Sequence, residues 1–472
     1  MKWSIFLAAL LLVYPAGILL RRNPQLRMVA SFLIGIFPFV GLGFFDINFL
    51  VDADYRGDAR GFEVTLLDLL LLAVYLSQPR RRISSPFLAA RCAYFVVALL
   101  SVAAAVEPLF AWFSVWSLVR MYFAFEVVYQ TCRSTRLASA LLAGLAVGVA
   151  SQFGLALAQR YLFGAYQSRG FFAHQNSLGS ALILVTPTLF ALVLARWGGW
   201  LYRIAVTGAV LAIVMSLSRG SMAIFSLQLA LMAVVSLMRS PTSWKVVILS
   251  IGLLGAGGAV LKASDTIVDR FTHAPPESGE TRSIMNAASS AMLSDHPLGI
   301  GINQYSVVGV RGAYFKRAAE DRSGPRNPSG EAPQYGGIVH NIYWLTAAEL
   351  GYVGFLAFAW LLLSPLCLAF WHGWRTHNDI RGDLLLGISV GLLGLYLHGT
   401  LEWTFRQTQI SYLFWTMAAI AAALPRERES MSLVAPHLRR HSSSFEMGHR
   451  LPSRHGHGIG AAMALGREVS ES

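Results

Sequence analysis

The sequence predicts an all-α fold, a polytopic transmembrane helical bundle interrupted by one long extramembrane loop. Hydrophobic residues make up 55% of the chain and charged residues only 13%, whereas soluble domains carry about 25% charged residues. The mean hydropathy is +0.52. Apolar runs long enough to cross a bilayer recur along the whole sequence. These observations indicate a membrane protein rather than a soluble one.

The apolar runs define about thirteen predicted spans. No small-residue cleavage site follows the first run, and a second apolar run starts at Met28. We therefore predict a retained anchor and not a signal peptide. The predicted spans are residues 3–20, 28–45, 63–78, 87–106, 109–131, 137–158, 177–195, 200–217, 221–238, 244–262, 343–371, 383–400 and 406–424. They divide the chain into N-terminal transmembrane helices (1–262), a large loop (263–342), C-terminal transmembrane helices (343–424) and a tail (425–472).

The charges of the loops predict their sides. The formal net charge is +13, and much of the excess lies in the tail and in short loops between apolar runs, as the positive-inside rule describes. This distribution favours a topological role for the positive charge over nucleic-acid binding, so no nucleic acid is expected as a partner. The loops assigned to the cytoplasmic side are 21–27, 78–83, 132–136, 195–203, 238–245 and 372–382.

The remaining loops are then predicted on the outer side. They are 45–63, 160–176, 218–220, 263–339 and the link near Glu402. This scheme places the N-terminus outside, unless the first segment is re-entrant or interfacial, in which case the N-terminus lies inside. Within the long loop, residues 279–301 are predicted to be partly helical, with Met285, Ala288 and Met292 on one face. The tail lacks apolar periodicity and is predicted to be cytoplasmic, disordered and without a catalytic role.

Metal-binding patterns are poor. The three cysteines, Cys92, Cys132 and Cys367, are scattered among apolar segments without metal or disulfide spacing. Among the outward loops only the early acidic one contains a DxD-like pair, at 52–54. We therefore expect no metal and no cofactor, with cationic side chains doing the work of a divalent ion.

Polar residues cluster in the loops of the outer side. RGFFAHQN precedes one span, SLSRGS links two spans, and the long loop contains ETRS and SDHPLGIG before it closes with HN. Because the topology places all of them on one face, we predict that they form one site. The candidates are His340 and Arg219 as catalytic residues, and Arg282, Arg169, His174, Asn176, Asn341 and His296 as substrate-binding residues.

Arg219 is the most informative single residue. It lies in a very short link between two apolar runs, near a region where an arginine costs about 2.5–3.5 kcal/mol at the span centre. A snorkelling interfacial arginine is the alternative, but such residues favour the cytoplasmic side. A planar, permanently charged guanidinium suits phosphate oxygens. Arg169 and Arg282 would complete a clamp for a lipid-linked diphosphate, although each alone could be a solvated loop arginine.

His340 is the candidate for acid–base chemistry. Neutral imidazole can accept a proton from a sugar hydroxyl near neutral pH; the alternative is a histidine that merely starts a helix. Asn341 either orients His340 or caps the following helix. His174 and His296 are secondary candidates for handling protons. Gly351 and Gly354 are expected to serve close helix packing rather than chemistry.

Charged residues inside spans are expected to be functional or paired. For Arg120 and Glu126, both within the predicted span 109–131, we favour buried pairing. Glu402 and Arg406 flank the last outward link and receive no specific role.

These motifs resemble the O-antigen ligase and O-antigen polymerase superfamily. His340–Asn341 followed by nine residues and then Gly351-x-x-Gly354 matches the HN-x9-GxxG pattern of that superfamily. FFAHQNSLG (171–179), LSRGS (217–221), ETRSIMNAA (280–288) and DHPLGIG (295–301) agree in order. The resemblance covers roughly residues 165–360, and the multispan layout extends it over most of the chain.

The resemblance implies a multi-pass glycosyltransferase of the bacterial inner membrane, GT-C-like in fold, with its active site facing the periplasm. Such enzymes transfer a glycan from undecaprenyl diphosphate to an acceptor, and inversion at the anomeric carbon is expected. The resemblance assigns diphosphate binding to Arg219 and Arg282, and to His340 the deprotonation or positioning of the acceptor hydroxyl. One departure stands at Asn286, where many relatives carry tryptophan; it affects the expected glycan or acceptor contacts more than the diphosphate contacts.

Three acceptors fit the superfamily. A growing lipid-linked chain would make the protein a polymerase of O-antigen or exopolysaccharide, which we favour. Lipid A core would make it an O-antigen ligase, and a protein serine or threonine an O-oligosaccharyltransferase. Membrane lipids are expected neighbours, and chain-length regulator or export proteins are open as partners. Outside this class, a flippase or transporter of lipid-linked glycans is the alternative, but it would not require a long loop bounded by arginine and histidine, and the sequence shows no convincing internal repeat.

Overall fold

The computed structural model describes residues 2–40, 46–79, 85–252, 254–255, 257–258, 276–320, 337–377 and 379–426. Within these ranges the chain is built of helices, with one small antiparallel sheet of β1 (Ile47–Phe49) and β2 (Phe62–Val64). The helices are α1 (Lys2–Arg22), α2 (Pro24–Ile36), α3 (Leu66–Ser77), α4 (Leu88–Leu100), α5 (Pro108–Cys132), α6 (Thr135–Tyr161), α7 (Gln175–Leu194), α8 (Trp200–Ser216), α9 (Arg219–Arg239), α10 (Ser243–Gly252), α11 (Pro276–Asp295), α12 (Tyr305–Arg311), α13 (Tyr314–Glu320), α14 (Ile342–Arg375), α15 (Ile380–His398) and α16 (Thr408–Ala423). Short 3-10 turns occupy Ser101–Ala104, Thr404–Arg406 and Leu424–Arg426.

Each predicted span overlaps a helix in the described part of the chain, and the predicted all-α membrane fold is confirmed. Among the described residues, seven helices are long and apolar enough to cross a membrane: α1, α5, α6, α7, α9, α14 and α15. Others are shorter, such as α2 with 13 residues. The predicted tail lies outside the described residues from position 427 onward. Residues 259–275, at the end of the predicted span 244–262 and the start of the large loop, and residues 321–336 of that loop also lie outside them. The four predicted regions therefore stay a prediction.

The centre of the bundle is formed by α7, α15 and α16. Every α7 residue from Ser177 onward is buried, because a helix that is apolar on all faces is stable only when neighbours surround it. α7 packs closely against α15, where a Cβ on Gly387 would lie 2.7 Å from the Cα of Thr188. Small residues of this kind allow helix backbones to approach. The outer helices instead expose leucines, such as Leu11 of α1 at 77%, as a lipid-facing surface requires.

The basic loops meet at one end of the bundle. Arg239 at the end of α9 donates to the Gly373 carbonyl of α14 (3.1 Å) and pairs with Asp383 of α15 (3.4 Å). The indole of Trp244 donates to the Val193 carbonyl of α7 (3.1 Å). Three of the loops assigned to the cytoplasm, 195–203, 238–245 and 372–382, therefore come together, as helices that alternate in direction require.

The opposite end carries the small sheet and the candidate residues. The start of α1 lies here, since the Trp3 ring packs against Phe49 of β1 with centroids 5.2 Å apart. The placement agrees with an N-terminus on the side opposite the basic loops. The pairing of β1 with β2 was missed by the sequence analysis, because strands of three residues in a polar loop leave no periodic signal.

Candidate functional site

The carboxylate of Glu402 is the centre of the candidate site. It lies in the link between α15 and α16 and is 3% exposed. Its Oε2 lies 3.1 Å from Nδ1 of His340, and its Oε1 accepts from a guanidinium nitrogen of Arg282 at 3.2 Å. The side-chain amide of Asn176 also donates to Oε1. Three of the predicted site residues, from three separate motifs, therefore contact one buried anion.

A chain of hydrogen bonds extends from this centre into the bundle. Asn176 Oδ1 accepts from the Ser218 hydroxyl (2.8 Å), which lies 2.8 Å from the Ser221 hydroxyl. Ser221 in turn lies 3.0 Å from Nε2 of His398, whose Nδ1 is 3.0 Å from the hydroxyl of Ser180. His398 is 1% exposed, so these serines satisfy a buried imidazole. The network ties the starts of α7 and α9 to the end of α15.

Charges around Glu402 keep it ionised. Burial alone raises the pKa of a carboxyl group, but the hydrogen bond from His340 and the electrostatic influence of His340, His398 and Arg282 outweigh burial and hold the pKa of Glu402 below its usual value. The pKa of His174 is lowered by partial burial and by the neighbouring charges of His340 and Arg282, against the opposite influence of Glu402. His174 is therefore electrostatically coupled to the same cluster.

Arg219 begins α9, directly after Ser218. Its side chain is half-buried, and in the part of the chain that the structure describes no hydrogen bond or ion pair holds its guanidinium. The position also brings the positive N-terminal end of the α9 dipole. A cation without a protein partner beside a helix N-terminus is suited to receive an anion.

Asn341 is the N-cap of α14, which is one of the two roles predicted for it. Its Oδ1 accepts from the backbone amides of Tyr343 (3.0 Å) and Trp344 (3.2 Å). The amide of Ile342 donates to the Gly399 carbonyl at 2.9 Å. The cap and this backbone bond fix the start of α14, and with it the position of His340 beside Glu402. Contact between Asn341 and substrate stays a prediction.

Gly351, the first glycine of the HN-x9-GxxG motif, forms a kink in α14. Gly351 has φ 67 and ψ −171 inside the helix, a conformation open essentially to glycine alone. The DHPLGIG turn docks into this kink: Tyr352 donates to the Pro297 carbonyl (3.1 Å) and Gly301 to the Glu349 carbonyl (2.9 Å). The expected close packing is therefore found, but the partner of Gly351 is a turn rather than a neighbouring helix.

Two predicted residues lie away from Glu402. Arg169 is exposed, and its guanidinium donates to the Ala173 carbonyl at 3.2 Å. His296 is exposed just beyond the end of α11, roughly 21 Å along the helix axis from Arg282 at 1.5 Å per residue. Contact of Arg169 and His296 with substrate stays a prediction. His174 lies nearer to Glu402 and caps α7, where its Nδ1 accepts from the backbone amide of Asn176 at 3.3 Å.

Arg120 and Glu126 are paired as expected, but with other partners. Arg120 binds Glu63 and Asp68, each at 2.8 Å, and Glu126 binds Arg91 at 2.7 Å. The pairs connect α5 to β2, α3 and α4 and do not form within α5, because residues six apart lie on different faces of one helix. Arg406, beyond the last link, is buried between two carboxylates, Glu349 of α14 (2.7 Å) and Asp58 of the β1–β2 loop (3.2 Å).

Glu402 and His398 belong to the site, but the sequence did not predict either of them as a site residue. A glutamate in an outward link and a histidine at the end of a span were the available signals, since ionisable groups at membrane depth are costly. Within the described ranges no three His, Cys, Asp or Glu side chains gather as metal ligands would. Metal independence stays a prediction.

Comparison with known proteins identifies part of this arrangement. The sequence profile of the O-antigen ligase family matches residues 204–359. This segment includes Arg219, Arg282, His340 and the kink at Gly351, whereas Asn176 and Glu402 lie outside it. No curated protein matches the chain. The chain is thus a multi-pass membrane protein, and the match over residues 204–359 supports its place in the O-antigen ligase and polymerase superfamily.

Proposed function

We propose that this protein is an inner-membrane glycosyltransferase. It moves a glycan from undecaprenyl diphosphate to an acceptor hydroxyl at the periplasmic face, and we favour an acceptor that is itself a lipid-linked glycan, which makes the enzyme a polymerase. The observation that carries the proposal is the convergence on Glu402. His340, Arg282 and Asn176 lie 62, 120 and 226 positions away from Glu402 in the chain, and all three contact its carboxylate.

His340 is the proposed base. With Nδ1 directed at Glu402, its Nε2 is the nitrogen left to face a substrate. The acceptor oxygen attacks the anomeric carbon while the bond from that carbon to the diphosphate oxygen breaks. The acceptor proton passes to Nε2, and Glu402 stabilises the resulting imidazolium through the Nδ1–H bond at 3.1 Å. Attack opposite the leaving group inverts the anomeric centre, and His340 then returns its proton to water.

Arg219 and Arg282 are proposed to bind the diphosphate. Arg219 has no partner among the described residues and lies at a helix N-terminus, while Arg282 uses one nitrogen on Glu402 and is 38% exposed. The guanidinium of Arg282 therefore has further donors for phosphate oxygens. The attraction between these two permanent cations and the diphosphate grows as the leaving group develops charge. This attraction would lower the barrier to transfer without a divalent ion.

The acceptor is distinguished by the glycans of a deletion strain complemented with wild type or with His340→Ala. Loss of the long-chain ladder with one repeat retained on lipid A core would indicate an O-antigen polymerase. Polymer accumulating on undecaprenyl diphosphate with bare core would indicate a ligase. Unchanged lipopolysaccharide with loss of a secreted polysaccharide would indicate an exopolysaccharide polymerase, and underglycosylated protein an O-oligosaccharyltransferase.

A matched control separates chemistry from folding. His372 is an exposed histidine in the last turn of α14, at the end opposite His340, so His372→Ala should restore every glycan. If His340→Ala also restores every glycan, the proposed role of His340 is wrong. Donor that accumulates only on the cytoplasmic face in the deletion strain would identify a flippase instead.

A further inference from the structure

A cavity of about 440 Å³ opens beside His340. Its wall consists of His340, the adjoining segment at Gly337 and Ile338, the indole of Trp403, and part of the β1–β2 loop. The loop residues that line it are Ala53, Asp54, Arg56, Gly57 and Arg60. Neither Arg219, Arg282 nor Glu402 lines this cavity. It therefore lies on a side of His340 separate from the arginines assigned to the diphosphate.

The β1–β2 loop is held rigidly against the rest of the protein by Asn303. The Oδ1 of Asn303 accepts from the hydroxyl of Tyr55 (2.9 Å) and the amide of Asp58 (3.2 Å). Its Nδ2 donates to the carbonyls of Ala59 and Phe110, both at 2.8 Å. A loop fixed by side-chain bonds of this kind presents its own side chains without further ordering cost on binding.

A buried ion pair and a ring contact fix the same loop. Asp58 is paired with Arg406 (3.2 Å), which also binds Glu349 of α14 (2.7 Å). The ring of Tyr55 stacks on Phe110 with centroids 3.9 Å apart. Since α14 also begins at the cap that follows His340, the loop and the proposed base are anchored to one helix. Their relative position is therefore defined.

The charge of the cavity wall is positive. Arg56 and Arg60 are exposed, and within the described residues no hydrogen bond or ion pair occupies either guanidinium. Among the described residues of the wall, Asp54 is the one acidic residue, so their positive charge exceeds their negative charge even when His340 is neutral. Trp403 adds a flat apolar face, which suits the C–H face of a sugar ring. Convergent charged groups around an aromatic wall are typical of a ligand site.

We propose that this cavity is the acceptor subsite, and that it selects an acceptor whose sugar next to the reacting hydroxyl carries a carboxylate or phosphate group. The inference rests on the proposed glycosyl transfer and deepens it. The reacting hydroxyl must reach Nε2 of His340, the nitrogen not directed at Glu402, and His340 lines the cavity. A planar guanidinium forms two parallel bonds with a carboxylate or phosphate, and Arg56 and Arg60 offer two such groups.

Binding of small saccharides to the full chain in detergent tests the inference. Titration calorimetry would compare a galacturonic acid trisaccharide, a singly phosphorylated galactose trisaccharide and the neutral galactose trisaccharide. We expect at least one charged trisaccharide to bind about tenfold or more tightly than the neutral one, as one charge-assisted bond would give. The double variant Arg56→Ala/Arg60→Ala should bring the ratio near one, whereas Arg56→Lys/Arg60→Lys should keep most of it.

The control variant is Arg311→Ala. Arg311 is an exposed arginine paired with Glu107 at 2.6 Å and does not line the cavity, so the preference for charge should be unchanged. Equal binding of charged and neutral trisaccharides by wild type, or a preference that persists in Arg56→Ala/Arg60→Ala, would overturn the proposal.

A second ligand separates this inference from the proposed function. Undecaprenyl diphosphate should bind Arg56→Ala/Arg60→Ala as well as wild type, and Arg219→Ala much more weakly. If Arg56→Ala/Arg60→Ala loses undecaprenyl diphosphate instead, the cavity holds the donor and the acceptor assignment is wrong, while glycosyl transfer stands. If wild type prefers charged trisaccharides but never binds undecaprenyl diphosphate, the proposed function fails and the anionic saccharide site remains.

Discussion

Replacing Glu402 with glutamine should disable the enzyme while leaving it folded. The carboxylate accepts three hydrogen bonds, from Arg282, Asn176 and His340. Glutamine is almost the same size but has one acceptor oxygen and an NH2 group. Whichever way the amide is turned, its NH2 faces at least one of these donors.

The size of the effect follows from which contact fails. A hydrogen bond to a charged group contributes about 1.5–3 kcal/mol, so losing the stabilisation of the His340 imidazolium corresponds to roughly 10- to 150-fold in rate at 1.36 kcal/mol per tenfold. If the NH2 turns toward Nδ1, His340 must carry its proton on Nε2 instead. It then cannot act as a base, and the whole contribution of general base catalysis, about 10²- to 10⁴-fold, is lost.

The assay is glycan transfer by purified protein in proteoliposomes, with kcat and the KM of each substrate measured for wild type, Glu402→Gln and Glu402→Asp. We expect a fall of about 10²-fold or more in kcat for Glu402→Gln and a smaller fall for Glu402→Asp. The matched control is Glu107→Gln, because Glu107 also pairs with an arginine, Arg311 at 2.6 Å, but lies outside the site. A kcat for Glu402→Gln close to that of Glu107→Gln would refute the role of Glu402 as the partner of His340.

Four further predictions use stability as well as activity. The pKa of Glu402 is held below its usual value, so its contribution to stability is present above the unfolded pKa of 4.5 and is lost as the pH falls through the folded pKa. The Tm of wild type should therefore drop more steeply below pH 4.5 than the Tm of Glu402→Gln. Parallel curves of Tm against pH would contradict this assignment. Gly351→Ala should lower the free energy of unfolding by about 1–3 kcal/mol, because the φ of Gly351 is 67. The control is Gly154→Ala in α6, where a Cβ meets nothing within 4 Å. A denaturation series should show no loss of stability for this control. Arg219→Ala should keep its Tm and lose undecaprenyl diphosphate binding; a variant that unfolds instead would show that Arg219 is structural. Asn341→Asp should keep both cap and activity while Asn341→Ala costs about 1 kcal/mol, and an inactive Asn341→Asp of normal Tm would support direct contact with substrate.

The sequence alone determined the class of fold, and it predicted the sides of its loops. Whether a segment of about twenty residues enters a membrane depends on its own hydropathy, a sum over neighbouring residues that needs no knowledge of the rest of the chain. The same reasoning placed Asn176, Arg219, Arg282 and His340 at one end of the bundle, where the structure has them. Motif resemblance added the family, which the match over residues 204–359 supports.

Local chemistry also left alternatives that only the structure decided. An asparagine before a helix can cap it or contact a ligand, and Asn341 uses its Oδ1 for the cap. A Gly-x-x-Gly pair can serve helix packing or a kink, and Gly351 provides the kink. The loop between the three-residue strands β1 and β2 is held by Asn303, which lies 245 positions from Asp58 and 244 from Ala59 in the chain, so no local pattern could reveal the contact.

The pairing of charges was decided by tertiary structure alone. Glu402 meets His340, Arg282 and Asn176 across separations of 62, 120 and 226 residues, and the cavity beside His340 joins it to a loop near residue 56. Such contacts depend on how each helix is rotated and shifted against its neighbours. Those rotations are set by packing of the buried faces, and no window of sequence contains both faces. The sequence therefore determined which residues could meet at one end of the bundle, and the packing of the helices decided that they meet at Glu402.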